Sequence, residues 1–221
     1  MFEHALVFCD VDDTLIHTKS LFAFFSIMVE GVELREQVGL RERWQRLLVA
    51  LDAKAAREEL NRCFYSEILC GMRVSRAAEL ARAWFECKRI EPGFLCGPVV
   101  DFVARQRGMG AEVVLVSGSF PELIEPIAEF VGASTVLCSR PRVTGGIYST
   151  ELAKGPMIGN AKAEAVRLFL AERGVDRAAC CAIGDDMSDV PMLRAAGRGY
   201  VPAHADGEVM AVAAREGWSV L

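Results

Sequence analysis

The sequence predicts an α/β fold, a doubly wound parallel sheet built from both ends of the chain with a helical bundle inserted after the first strand. Three observations carry this. An apolar run, Ala5-Leu6-Val7-Phe8-Cys9, stops abruptly at Asp10-Val11-Asp12-Asp13-Thr14-Leu15, the pattern of a buried central strand whose carboxyl end opens on a polar loop. The next seventy or so residues carry apolar positions at helical spacing and no strand pattern. From about Gly93 onward, short β-favouring runs alternate with amphipathic segments, the rhythm of strand and helix units that cover both faces of a parallel sheet.

The elements follow in order. Leu21, Phe24, Phe25 and Met28 recur at i, i+3, i+4 and i+7, and Leu40, Trp44, Leu47, Leu48 and Leu51 repeat the pattern. Further helices are expected at about 53–70 and 74–88, the latter with Val74, Ala77, Ala78, Ala81, Trp84 and Phe85 on one side. Four amphipathic helices in succession make a small bundle. Ile90-Glu91-Pro92-Gly93 is a breaker suited to a boundary. Beyond it the pattern predicts a helix at about 97–107, a strand at Glu112–Val116, a helix after Pro121 and a strand at Thr135–Cys138. A tight hairpin follows at Val143–Ser149 around Gly145-Gly146. A helix near 160–172, the strand Ala178–Ile183, a helix near 189–195 and short strands at Gly199–Val201 and the C-terminus complete it. The expectation is a Rossmann-like core from residues 1–16 and 93–221, with 17–92 as a helical cap over the strand ends.

Composition narrows the function classes. Of 221 residues, 52% are hydrophobic and 25% charged, which excludes a disordered or fibrous chain. A net charge of -5 supplies no basic field for nucleic acid, and the charge is uneven. His17 to Phe94 holds 13 basic and 11 acidic residues, so the excess of acid lies in the remainder, with the carboxylate loops. The eight cysteines form no C-x-x-C pair and read as buried hydrophobes in a reducing cytoplasm rather than as a zinc site. Cys9 sits within a strand with no base beside it, which argues against a nucleophile. Leu21–Val29 is far shorter than the roughly 20 residues that span a bilayer, so no membrane segment is expected.

Three strands end alike. The first runs into Asp10 and Asp12; Val113–Val116 runs into Ser117-Gly118-Ser119; Cys180–Ile183 runs into Gly184-Asp185-Asp186-Met187-Ser188-Asp189. A hydroxyl followed by glycine lets backbone N–H groups approach an anion, which makes Ser117 and Gly118 a candidate phosphate cradle. Asp185 and Asp189 would face the same way if a helix starts near Gly184, and with Asp10 they could surround a divalent cation. Oxygen ligands without His or Cys point to Mg2+. Lys162 lies one turn before Ala165 and Val166 and two before Phe169, on the inward face of its helix, where it needs anionic partners.

Taken together, Asp10-x-Asp12-x-Thr14, Ser117, Lys162 and Asp185-x-x-x-Asp189 resemble the four motifs of the haloacid dehalogenase-like superfamily of phosphohydrolases. The helical insert after the first motif resembles the cap of the phosphoserine-phosphatase-like branch. The likeness extends to Gly146-Ile147-Tyr148, Pro191-Met192-Leu193 and Gly217-Trp218, and is weakest within the cap. It implies a Mg2+-dependent phosphatase acting on a small phosphorylated metabolite. Asp10 would be the nucleophile that forms an aspartyl-phosphate and Asp12 the general acid and base, while Lys162 and Ser117 would bind phosphate. Asp10, the Asp12 carbonyl and Asp185 would hold the metal, with Asp189 and Asp186 in support.

Departures from the branch's pattern concern substrate. Phosphoserine phosphatases carry glutamate nine residues after the nucleophile, to hold the substrate ammonium; here that position is Lys19. Lys19 would favour an extra anionic or hydroxyl group, a solvent-facing lysine being the structural alternative. Asp13 and Asp186 stand where small residues are usual, and are expected to deepen the negative field at the metal. His17 lies near the cap entrance, read as a loop histidine; His4 and His204 suggest no constellation. No G-x-S-x-G elbow appears, which removes acyl chemistry. The alternatives are phosphotransfer to an alcohol and a non-catalytic phosphate-binding module.

Overall fold

The computed structural model describes residues 4–31, 34–52 and 57–221. In chain order the first half comprises β1 (Leu6–Cys9), α1 (Ser20–Glu30), α2 (Leu34–Asp52), α3 (Arg57–Cys63), a π-helical segment at Phe64–Leu69, α4 (Val74–Lys88) and α5 (Gly97–Gly108). Then come β2 (Glu112–Ser117), α6 (Pro121–Val131), β3 (Thr135–Cys138), β4 (Pro141–Thr144), β5 (Ile147–Leu152), α7 (Asn160–Arg173) and β6 (Cys180–Ile183). The chain closes with α8 (Val190–Ala195), β7 (Arg198–Val201), α9 (Gly207–Glu216) and β8 (Ser219–Val220).

The sheet runs β3-β2-β1-β6-β7-β8, with every pairing parallel. Its faces are covered by different parts of the chain. Val7 and Cys9 join Val113, Leu115, Cys181 and Ile183 in one apolar cluster, and Leu6 and Phe8 join Val114, Val116, Cys180 and Ala182 in a second. Alternate side chains point to opposite faces, so a strand buried on both sides must be apolar throughout. Fully buried residues such as Phe8 and Leu115 each contribute about 2 kcal/mol from the surface removed from water.

The helical insert buries the stripes its sequence predicts, including Phe24, Phe25 and Met28 on α1 and Ala77, Ala81, Trp84 and Phe85 on α4. These residues belong to the same apolar cluster as the first sheet face. The chain enters and leaves the insert through two hydrogen-bonded segments, with His17 N donating to Phe94 O (2.8 Å) and Cys96 N to Leu15 O (2.9 Å). The glycine pair forms the expected hairpin turn, with Gly145 and Gly146 at φ 58° and 76° joining antiparallel β4 and β5.

Three local expectations are corrected. The segment expected as one helix at 53–70 is α3 followed by the π-helical segment, whose wider turn buries Phe64, Tyr65, Ile68 and Leu69 together. Residues 53–56 and the Leu51 side chain lie outside the described residues. The strand expected from Ala178 starts at Cys180, because Asp176 caps a 3-10 turn at Arg177–Ala179 through the Ala178 N–H (2.9 Å). Helix α9 was not anticipated, although Asp206 accepts from Glu208 N (2.7 Å), Gly217 closes the helix at φ 69° and Val209, Val212 and Ala213 are buried. Among the described residues, no helix is long and apolar enough to cross a membrane.

Candidate active site

Register decides where the motifs meet. Cys9 lies beside Leu115 on β2 and Ile183 on β6, so Asp10, Ser117 and Asp185 leave the sheet at one rim. The Asp10 N–H still donates to Ile183 O (3.0 Å), which extends the ladder one residue and fixes the carboxylate's origin. Lys162, in the first turn of α7, is 4% exposed. Its Nζ donates to Asp10 Oδ1 and to Asp189 Oδ1, both at 2.6 Å. The Thr14 hydroxyl donates to Asp185 Oδ1 at 2.6 Å, with Asp10 Oδ2 at 3.4 Å.

Asp185 and Asp189 reach this point by a route other than the expected shared helix face. Asp186 caps a 3-10 turn at Met187–Asp189, accepting from Ser188 N (2.8 Å), while Asp189 Oδ2 accepts from Asp186 N (3.3 Å). Gly184 makes room, since a Cβ there would lie 2.5 Å from the Asp189 Cβ. The result is a tight cluster in which Asp10, Asp185 and Asp189 each offer a carboxylate oxygen within 4.8 Å of the others.

Electrostatics follow from one amine among several acids. Burial first, then Asp189, pushes the Asp10 carboxyl well above its ordinary value, against the pull of Lys162. Burial also raises Asp12, opposed by Ser20, whose N–H donates to Asp12 Oδ1 at 3.1 Å. Asp185 is pushed up to about 6, chiefly by burial and against the Thr14 hydrogen bond. Burial alone would lower Lys162, but Asp10 and Asp189 outweigh it and hold the ammonium charged. Asp185 therefore has a hydroxyl where Asp10 and Asp189 share an ammonium. This all-oxygen, charge-deficient donor set fits a hard divalent cation.

Ser117 Oγ accepts from Ser119 N (3.1 Å), which leaves its own proton free to donate. The Gly118 carbonyl is held from the insert, accepting from Asn61 Nδ2 (2.9 Å) and Tyr65 OH (2.7 Å). Sequence reasoning missed both residues; the one available signal was an asparagine on the buried side of an amphipathic segment.

Other expectations change. Asp13 and Asp186 add no uncompensated charge, because Asp13 Oδ2 pairs with Lys19 Nζ at 2.6 Å and Asp186 Oδ1 with Arg57 Nη1 at 2.5 Å. Burial would raise Asp186, but the Ser188 hydrogen bonds and Arg57 hold it below the ordinary carboxylate value. Lys19 lines the cavity with its ammonium engaged by Asp13. His204 does have neighbours, its ring centroid 4.5 Å from that of His17 and its Nε2 donating to Asp13 O (2.7 Å). His4 shares a hydrogen bond with the Tyr200 hydroxyl (3.3 Å). Cys9 is fully buried and donates to Asp10 O, and all eight cysteines are free.

The carboxylates and Lys162 form the floor of a cavity of about 270 Å³, walled by the helical insert.

Comparison with known proteins bears on the fold and the family. The haloacid dehalogenase-like hydrolase family matches residues 7–194. A Streptomyces azureus protein described as "Inhibition of morphological differentiation protein" is 30% identical over 97% of this chain and 76% of its own length. A phosphoserine phosphatase of Halobacterium salinarum is 28% identical over 92% of each chain. A substrate-bound phosphoserine phosphatase structure superposes with a TM-score of 0.69 at 18% identity, covering 100% of this chain and 94% of the other. The chain therefore belongs to the haloacid dehalogenase-like hydrolases.

Proposed function

We propose that the protein is a Mg2+-dependent phosphatase that hydrolyses a small phosphomonoester through an aspartyl-phosphate on Asp10. The observation that carries this reading is Lys162 Nζ at 2.6 Å from both Asp10 and Asp189, with Asp10 at the floor of the cavity. A buried ammonium between carboxylates, at a rim where a Ser-Gly loop also opens, suits a phosphoryl group better than a neutral substrate.

An Asp10 carboxylate oxygen forms a bond to phosphorus as the bond to the leaving oxygen breaks. Asp12, whose raised value keeps a proton within reach, protonates that oxygen. Water then attacks phosphorus, Asp12 takes its proton, and inorganic phosphate leaves with Asp10 restored. Lys162 and the Ser117 hydroxyl neutralise and orient the phosphoryl oxygens, Gly118 allows close backbone approach, and Asp189 positions Lys162. Asp10, the Asp12 carbonyl and Asp185 would hold Mg2+, which when bound supplies further neutralisation of the charge spreading over those oxygens. Residues 17–92 act as the cap, with Asn61 and Tyr65 latching it to Gly118. Eight free cysteines support a reducing, cytoplasmic setting.

Phosphate release from a panel of sugar, amino-acid, polyol and nucleotide phosphates, with Mg2+ or with chelator, tests the reading. Mg2+-dependent release from at least one class is expected, and release indifferent to the metal would overturn it.

Asp185 gives a pH signature. Its carboxyl titrates at about 6 in the folded chain and near 4 when unfolded. The folded state therefore binds the extra proton in that window, and metal-free stability falls as pH rises through it. Mg2+ should raise the melting temperature at pH 7 and much less at pH 5, where protons compete. Thermal melts of Asp185→Asn should show a flatter slope and a weak Mg2+ response; a full response would remove Asp185 from the ligand set.

A further inference from the structure

The residues lining the cavity are of two chemical kinds. Its floor carries Asp10, Asp12, Lys162, Asp185 and Asp189, while Leu21, Phe22, Trp44, Leu47, Leu60 and Phe64 from the insert line the wall. The aromatic part of that wall is pre-organised. Trp44 stacks on Phe25 with centroids 4.2 Å apart and makes edge contacts with Phe22 and Phe64 at 5.0 and 6.3 Å. Phe22 lines the cavity yet is 42% exposed, so an apolar occupant would cover surface that the fold leaves in water.

Charge on the same wall excludes a competing class. Among the described residues lining the cavity, the insert supplies no carboxylate. Its charged groups there are Lys19 and Arg57, each neutralising a core acid, Asp13 and Asp186. A substrate ammonium on that side would find both acids already paired, and a polyol would find the polar lining groups Asn61 and Ser188 already engaged, with Gly118 and Arg57, among apolar side chains.

Resting on the phosphatase reading above, we infer that the alcohol released by this enzyme is apolar, an alkyl or aryl group lying against the Phe22–Trp44 wall, and is neither an amino acid nor a sugar. Phosphate fixes one end at Lys162 and burial of the organic body sets the preference. Each methylene that reaches the wall should strengthen binding roughly threefold to fourfold.

Two measurements on the whole protein with Mg2+ test this. Calorimetric titration with methyl-, butyl- and hexylphosphonate, which cannot be turned over, reads the wall without chemistry, and kcat/KM for the matching alkyl phosphates, glycerol phosphate and O-phosphoserine reads it with chemistry. Affinity and kcat/KM should climb with chain length, with a heat-capacity change that becomes more negative, and O-phosphoserine should fall below butyl phosphate. Leu60→Glu should flatten the climb, with thermal melts confirming a folded variant; Phe22→Ser is the second variant, should the first not fold. A flat series, a best substrate in O-phosphoserine, or a slope untouched by both substitutions overturns the assignment. The two readings separate cleanly. Chain-length-dependent phosphonate binding without any turnover would sink the phosphatase reading and keep the apolar wall, and equal turnover of every ester would do the reverse.

Discussion

Asp10→Asn should abolish phosphate release, by about 10⁴-fold or more, while leaving the metal-free protein as stable as the parent or more so. In the proposed mechanism the amide keeps the shape of the carboxylate and still accepts from Lys162, but it removes the oxygen that attacks phosphorus. Stability moves the other way because Asp10 is held among Asp12, Asp185 and Asp189, where burial and Asp189 already disfavour its charge. Deleting one member of a crowded acid cluster relieves repulsion that function had imposed. Phosphate release and thermal melts on the same preparation check both halves. Residual release at a tenth of the parent rate would assign the chemistry to another residue.

Lys162→Met should cost about 3–5 kcal/mol of metal-free stability, the usual penalty for leaving a buried charge without its partner. The ammonium lies 2.6 Å from Asp10 and from Asp189 and is 4% exposed, and the methionine that replaces it offers neither carboxylate a proton or a charge. Activity should fall by about 10²- to 10³-fold, the scale on which a pre-placed transition-state charge contributes. Mg2+ should recover part of the stability and little of the activity, because a cation offsets the acids without occupying the Nζ position. Denaturant titrations with and without Mg2+ measure this, and an unfolding free energy within 1 kcal/mol of the parent would show that Lys162 does not bridge the two acids.

The site was legible in the sequence wherever residue type and strand position coincide. Asp10, Ser117 and Asp185 follow apolar strands directly, and parallel strands in register deliver their last residues to one rim. Lys162 was legible from spacing alone, since a lysine on the inward stripe of an amphipathic helix must find an anion. Helix α9 carried an Asp206 cap, a closing Gly217 and an apolar stripe of Val209, Val212 and Ala213, signals of the same kind as those that locate the helices of the insert, and was still missed.

The cap was legible as helices and not as contacts. Asn61 near the end of α3 and Tyr65 in the π-helical segment both meet Gly118, 57 and 53 positions away, which spacing within the insert does not foretell. Asp13 and Asp186 looked like added metal-site charge, yet each is taken by a cation, Lys19 and Arg57. Local order thus settled which groups reach the rim: apolar strand runs, helical stripes and the acids ending the strands are properties of neighbouring residues, and short-range sterics with burial fix them. Pairing among those charges, and the apolar wall facing them, came from the packed chain, because an ion pair between residues 129 positions apart, as in Arg57 with Asp186, exists only once the core has brought their backbones together.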